Sequence, residues 1–189
     1  MSDRQEFKYN PEKLKNLILY VAEQSKDDPY FGATKLNKIL YYVDFRAYRE
    51  LGCPITGAEY QKLPDGPAPR ELLKVRRQLL NEGRIALQNR QVFNYVQQRI
   101  VPLDPAVDTG SSFLPNELAI IDDVLLMLRG KSGTEASEMS HDEAGWKLVG
   151  YYQTIPYETA WFPPQGTELD EESLAIARDA LAESTPHGH

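Results

Sequence analysis

Cys53, His141 and Glu143 are the residues here whose types could carry a reaction. A cysteine nucleophile needs a nearby base and an electropositive setting. Cys53 sits in Leu51-Gly52-Cys53-Pro54, a turn after a helix, and nothing in the sequence brings it to His141, its nearest histidine. His141-x-Glu143 has the H-x-E form of zinc deaminases, but those also need a P-C-x-x-C, and Cys53 is the only cysteine. A metal at His141 would need two or three further ligands; His187 and His189 fall in a tail expected to be disordered. Neither a P-loop nor a G-x-G-x-x-G occurs. The sequence therefore carries no catalytic set, and no cofactor or metal is expected.

Binding chemistry is better represented. Arg70 to Arg99 holds seven basic residues against Glu71 and Glu82, a local charge of +5 within a chain of net charge −7. An acidic whole argues against general nucleic-acid affinity, but Lys74, Arg77, Arg84 and Arg90 are candidate phosphate contacts. Helix followed by a two-stranded wing is a winged-helix-like order. The helix opens on Pro67-Ala68-Pro69-Arg70-Glu71, however, which is poor for reading base edges. A solvated face, or a dock for an acidic partner, is the competing reading.

The elements that must position these groups follow from periodicity. Asn10-Pro11 reads as an N-cap and first helical position, with a helix over roughly 11–25. Thr34 is expected to cap a central helix ending near Leu51, with Gly52 as its left-handed terminus. On that helix Leu36, Ile39, Leu40, Val43, Ala47 and Leu51 form a core stripe. Tyr41, Phe45 and Tyr48 fall on a second face beside Asn37 and Asp44, and Lys35, Lys38, Tyr42, Arg46 and Arg49 on a third. A surface helix needs one apolar face, so this one is expected to run through the middle of the domain.

An extended piece follows at 58–63, then Pro64 to Pro69, whose prolines exclude regular structure except that Pro69 can open a helix running to Gly83. Ile85–Asn89 and Val92–Val101 read as a hairpin turning at Asn89-Arg90-Gln91. Leu118 to Leu128 marks a further helix ending at Gly130, and Ser132-x-x-Glu135 a capping box opening a short helix toward His141. Tyr151 to Phe162 reads as extended. Pro163-Pro164-Gln165-Gly166 reads as a linker to an acidic helix over Leu169–Glu183, which could fold back, mediate a homodimer or wrap a partner. The expected fold is α+β: a mainly helical single domain over 10–162, with one small antiparallel sheet from 58–63, 85–89 and 92–101. An appended helix and tail occupy 163–189. No run approaches the roughly 20 apolar residues of a membrane span. No signal peptide opens the chain and a lone cysteine fits a reducing compartment, so a cytoplasmic protein is expected.

Three motifs occur in order: Thr34-Lys35-Leu36-x-Lys38-Ile39-Leu40-Tyr41-Tyr42-x-Asp44-Phe45; Ile55-Thr56-Gly57-x-x-Tyr60 running into Gly66-Pro67-x-Pro69; and Ser140-His141-x-Glu143-x-x-Trp146 followed by Ile155-Pro156-Tyr157-Glu158. Together they resemble the Panacea, or SocA-like, antitoxin domain, formerly labelled as phage-associated proteins of unknown function. The resemblance runs from about Leu14 to Trp161. It implies an antitoxin that binds and neutralises a small toxin encoded by a neighbouring gene. Some members add an N-terminal helix-turn-helix; with about nine residues ahead of helix one, this chain is expected to lack it. Asp65 stands where the family commonly has an aromatic residue before Gly-Pro.

Candidate partner-binding residues are Tyr41, Tyr42, Asp44, Phe45, Tyr48, Gly66, Pro67, His141, Glu143 and Trp146. Each also has a structural reading. The aromatics can pack between helices, Gly66-Pro67 can set a rigid turn, and His141 can cap a helix end under Trp146. The competing function is a DNA-binding regulator built on the basic helix and hairpin.

Overall fold

A computed structural model describes residues 7–92, 95–104 and 110–162. Among these residues six α-helices and two antiparallel strand pairs make a mainly helical α+β arrangement. The expected linker, acidic helix and tail beyond Phe162 lie outside the described residues.

Helix α1 (Pro11–Gln24) starts where Asn10 accepts a hydrogen bond from the Lys13 N–H at 3.0 Å, with Pro11 in its first turn. Helix α2 (Ala33–Leu51) ends at Gly52, whose φ of 77° needs no Cβ in the left-handed region. Its start differs from the expected cap: Gly32, not Thr34, is the N-cap, and Thr34 lies inside the first turn. Extended backbone at Gly32 brings it against the Gln97 side chain, where a Cβ would not fit.

Helix α2 packs against most of the other elements. Leu36, Ile39, Leu40, Val43 and Ala47 are buried as their spacing requires. So are Lys35 and Lys38 on the face expected to be basic. Lys35 makes a buried ion pair with Asp28 at 2.5 Å and donates to the Lys131 carbonyl at 2.7 Å. Long aliphatic stems let both lysines cover apolar surface while their ammonium groups find oxygen.

Strand β1 (Tyr60–Leu63) pairs antiparallel with β2 (Gly66–Pro69). The proline-rich segment is therefore a strand, contrary to expectation, and Pro69 lies in it instead of opening a helix. The reason is alternation. Arg70 N donates to the Glu59 carbonyl at 2.9 Å, so even-numbered residues of this strand face β1. Pro67 and Pro69 point their missing N–H groups to the other edge, where no ladder bond is lost. The opposite edge of β1 is also covered: Lys62 N donates to Gln153 O, Tyr152 N to Lys62 O and Ile155 N to Tyr60 O.

Helix α3 (Leu72–Asn81) leads to the hairpin β3 (Ile85–Val92) and β4 (Tyr95–Pro102). This pair forms a sheet of its own, so the single sheet expected from three segments is two. Its register opposes Val92 to Tyr95, which moves the turn past the expected Asn89-Arg90-Gln91. Helices α4 (Pro115–Leu128), α5 (Gly133–His141) and α6 (Ala144–Leu148) follow, α5 opening on the Ser132–Glu135 capping box. Residues 151–162, expected to be extended throughout, hold a turn, a bridge from Thr154 to Gln61 and a 3-10 helix at Tyr157–Trp161.

Gly66 combines positive φ with close packing. Its φ is 96°, and a Cβ there would lie 2.6 Å from Lys38 Cε and closer still to Ser140 Oγ. Gly52 has positive φ but open space around it. Gly66→Ala is expected to destabilise the fold by about 2–4 kcal/mol and Gly52→Ala by about 1. Urea midpoints of the two variants against wild type would check the order.

Candidate functional site

Asp44 lies at the centre of the residues singled out from sequence, and it is completely buried. Its Oδ1 accepts the Thr56 N–H at 2.7 Å, and its Oδ2 accepts the Thr56 hydroxyl. The Tyr60 hydroxyl lies 2.8 Å from Asp44 Oδ2 and 2.8 Å from the Leu40 carbonyl. One phenolic proton cannot serve both acceptors. With Asp44 ionised the tyrosine donates to the carboxylate; with Asp44 protonated the carboxyl can donate to the tyrosine oxygen and free the phenolic proton for Leu40. Burial pushes the Asp44 carboxyl up to about 6, against the lowering effect of the Thr56 and Tyr60 hydrogen bonds.

Around this carboxyl the aromatics pack on one another. The Tyr41 and Phe45 rings are 4.2 Å apart, Phe45 and Tyr157 4.7 Å, and Tyr48 and Tyr157 5.7 Å. Tyr157 donates to the Ala58 carbonyl at 2.6 Å. Tyr41, Asp44 and Phe45 are therefore interior groups, and they can influence a partner only through the surface they support. Tyr48 is half-buried, with exposed Trp161 6.0 Å away. Gly145 lets α6 approach this cluster, since a Cβ there would lie 2.5 Å from Thr159 Oγ1 and 2.7 Å from Ile155 Cγ2.

A second group forms where α5 and α6 meet the β1–β2 turn. The His141 ring stacks on Trp146 at 4.1 Å and 23°, and Trp146 Nε1 donates to the Leu63 carbonyl at 3.2 Å. The Ser137 hydroxyl donates to the Asp65 carbonyl at 2.6 Å. Lys62 Nζ donates to the Val149 carbonyl at 3.0 Å and lies over Trp146 and Tyr151, 3.9 and 5.0 Å from the ring centres. Lys38 reaches the Pro67 carbonyl at 3.3 Å. Gly66, Pro67, His141 and Trp146 are thus brought together. Tyr42 is half-buried and faces the Glu143 carboxyl, which burial holds above the usual range. Burial, with Lys38 and Lys62, pushes His141 down; burial pushes Lys38 down to about 8.

None of the groups contacting His141 is Cys53, which is exposed beyond the end of α2. Among the described residues no three of His, Cys, Asp or Glu gather in metal-binding range. No described helix is long and apolar enough to cross a membrane.

The basic segment is divided. Arg99 is buried, donating to the Ser25 and Lys26 carbonyls; Arg76 bonds Gln98; Arg70 pairs with Glu59 at 3.2 Å; Lys74 pairs with Glu71 at 3.2 Å. Arg77 and Arg90 are exposed and Arg84 half-buried.

Sequence reasoning passed over Lys62, Ser137, Gly145, Tyr151 and Tyr152. Lys62 carried a signal: it shares the inward phase of a strand with Tyr60, where a lysine is out of place. Tyr152 carried none, because its φ of 67° is set by the bonds it makes to β1.

A family model described as antitoxin SocA-like, Panacea domain, matches residues 36–147. No curated protein and no solved structure matches the chain.

Asp44 holds its proton more tightly folded than unfolded, so the native state binds more protons between pH 3.8 and about 6. Its contribution to stability falls as pH rises through that window. The stability of wild type minus that of Asp44→Asn should drop by on the order of 3 kcal/mol from below pH 4 to pH 7. Denaturant titrations of both proteins across the window would measure it.

Proposed function

The chain belongs to the SocA-like, Panacea antitoxin-domain family, and we propose that it is the antitoxin of a toxin–antitoxin pair, neutralising a small cognate toxin by direct binding. Family membership carries this reading, and antitoxin domains of this kind are generally non-enzymatic. The mechanism is steric: the complex covers the toxin's active or membrane-seeking surface.

The binding surface is best sought where the buried cluster supports exposed aromatics. Tyr151 and Tyr152 are 54% and 65% exposed, beside half-buried His141 and Trp146. Tyr152 is the one non-glycine residue with positive φ among those described. A bulky residue in that conformation costs on the order of 1 kcal/mol, and such strained residues cluster at functional sites as well as in turns. Its carbonyl accepts from Arg70 at 2.9 Å and its N–H bonds Lys62 O at 2.8 Å, so the tyrosines are presented on a rigid edge. Rigid, amphipathic aromatics make strong interface anchors because little rotamer freedom is lost on binding. Half-buried Tyr48 and exposed Trp161 form a separate aromatic pair beside Tyr157.

Co-expression with the neighbouring small open reading frame is expected to restore growth, and the two products should co-purify. Absence of both rescue and co-purification would overturn the reading. Tyr152→Gly should stay within about 1 kcal/mol of wild type in stability, since glycine relieves the backbone strain but adds chain entropy. The same variant should retain less toxin on an affinity column.

A further inference from the structure

Two ammonium groups lie at the corner between the Pro64-Asp65-Gly66 turn and the α5–α6 junction, and neither has a carboxylate partner among the described residues. Lys38 is 1% exposed and Lys62 9% exposed. Among the described residues no carboxylate lies within ion-pair distance of either. An ammonium has three donors. Among the described residues Lys38 has one acceptor, a long bond of 3.3 Å to Pro67 O, and Lys62 has one, Val149 O at 3.0 Å. The contrast with Lys35, equally buried but paired with Asp28 and bonded to Lys131 O, shows how this fold satisfies a lysine that serves structure alone.

Resting on the antitoxin reading, we infer that this corner is a carboxylate-recognition site: Lys62, with His141 and Trp146 beside it, receives an Asp or Glu side chain of the bound toxin. Removing cations from water without a counter-charge is costly, and an incoming carboxylate recovers part of that cost in a low-dielectric setting. The walls are prepared for it. Trp146 is fixed by its bond to Leu63 O and by the stacked imidazole. Tyr151, over the same ammonium, is exposed enough to move aside or to close over a ligand.

The nearby acids do not fill the site. Asp142 pairs with Lys147 at 3.2 Å, Glu143 faces Tyr42, and Asp65 points its charge from an exposed turn without reaching ion-pair distance. A net charge of −7 means that the protein as a whole does not attract anions. Recognition is therefore local, made by charges close enough to escape screening. A protein partner supplies carboxylates and not phosphates, which favours the former.

The test uses the full chain and follows the Trp146 indole N–H resonance by NMR. The probe is a hexaglutamate peptide blocked at both ends, beside a hexaglutamine control, the same acidic peptide with a free C-terminus, and inorganic phosphate. The blocked acidic peptide should shift the resonance and hexaglutamine should not. Lys62→Met should weaken binding about tenfold or more, as expected for loss of a desolvated charge, while Lys26→Met, at an exposed turn after α1, leaves it unchanged. Tyr151→Ala, at an exposed position that cannot unfold the core, should also weaken it. No shift, a shift insensitive to both Lys62→Met and Tyr151→Ala, a shift seen only with the free C-terminus, or equal binding of phosphate would overturn the inference. Growth rescue by wild type is scored in parallel. Peptide binding without rescue supports the site and overturns the antitoxin reading. Rescue without peptide binding does the reverse.

Discussion

The buried carboxyl of Asp44 holds this structure in register. It binds the backbone N–H and hydroxyl of Thr56 and meets the hydroxyl of Tyr60, so the chain leaving α2 is turned back along the helix. Thr56 passes the constraint on: its hydroxyl accepts from Ala58 N, and its carbonyl accepts from Asn10 N beside the start of α1. One acidic group thereby fixes the entry to the first helix, the exit from the second and the phase of β1. A buried polar network of this kind specifies a single arrangement because leaving any member unpaired in a low dielectric is costly.

With β1 in phase, the remaining placements follow. Tyr60 and Lys62 both face inward, one onto Asp44 and the other onto Trp146. The outer edge of β1 captures residues 152–155, which sets the exposed tyrosines and swings Tyr157 onto Phe45. The outer edge of β2 presents the Pro67 carbonyl to Lys38 of α2. Helix α2 thus meets a different chemistry on each packed side, aliphatic toward α1, aromatic toward the 3-10 helix, cationic toward the β1–β2 turn and the Asp28 loop, while Arg49 and Glu50 in its last turn stay exposed. The interior of the domain and its candidate binding corner share side chains, so perturbing one perturbs the other.

The helices were legible because their signals are local. Asn10-Pro11, Gly52, Ser132-x-x-Glu135 and the 3.6-residue apolar spacing act within a few residues of themselves. The strands were less so. Two prolines in four residues read as a breaker, yet both sit in the phase whose N–H has no strand partner; that phase is set by pairing with β1, which sequence spacing does not contain. The hairpin turn was misplaced for the same reason, since register depends on which face packs on α1. Lys35 and Lys38 fall on a third face of a central helix, but their partners were not legible, because lysine is rarely buried. Their burial depends on Asp28, Lys131 and Pro67, which other parts of the chain bring to them.

By itself the sequence determined the mainly helical α+β class, the central role of the helix over Ala33–Leu51, and the family, because these rest on short-range pattern and on motifs whose order survives without coordinates. Tertiary structure alone decided which members of those motifs face inward. Tyr41, Asp44 and Phe45 went to the interior, while Trp146 was joined by buried Lys62 and exposed Tyr151 and Tyr152, which no motif had marked. The physical reason is that burial and charge pairing are properties of contacts between segments distant in the chain, and a helical wheel or a spacing rule sees one segment at a time.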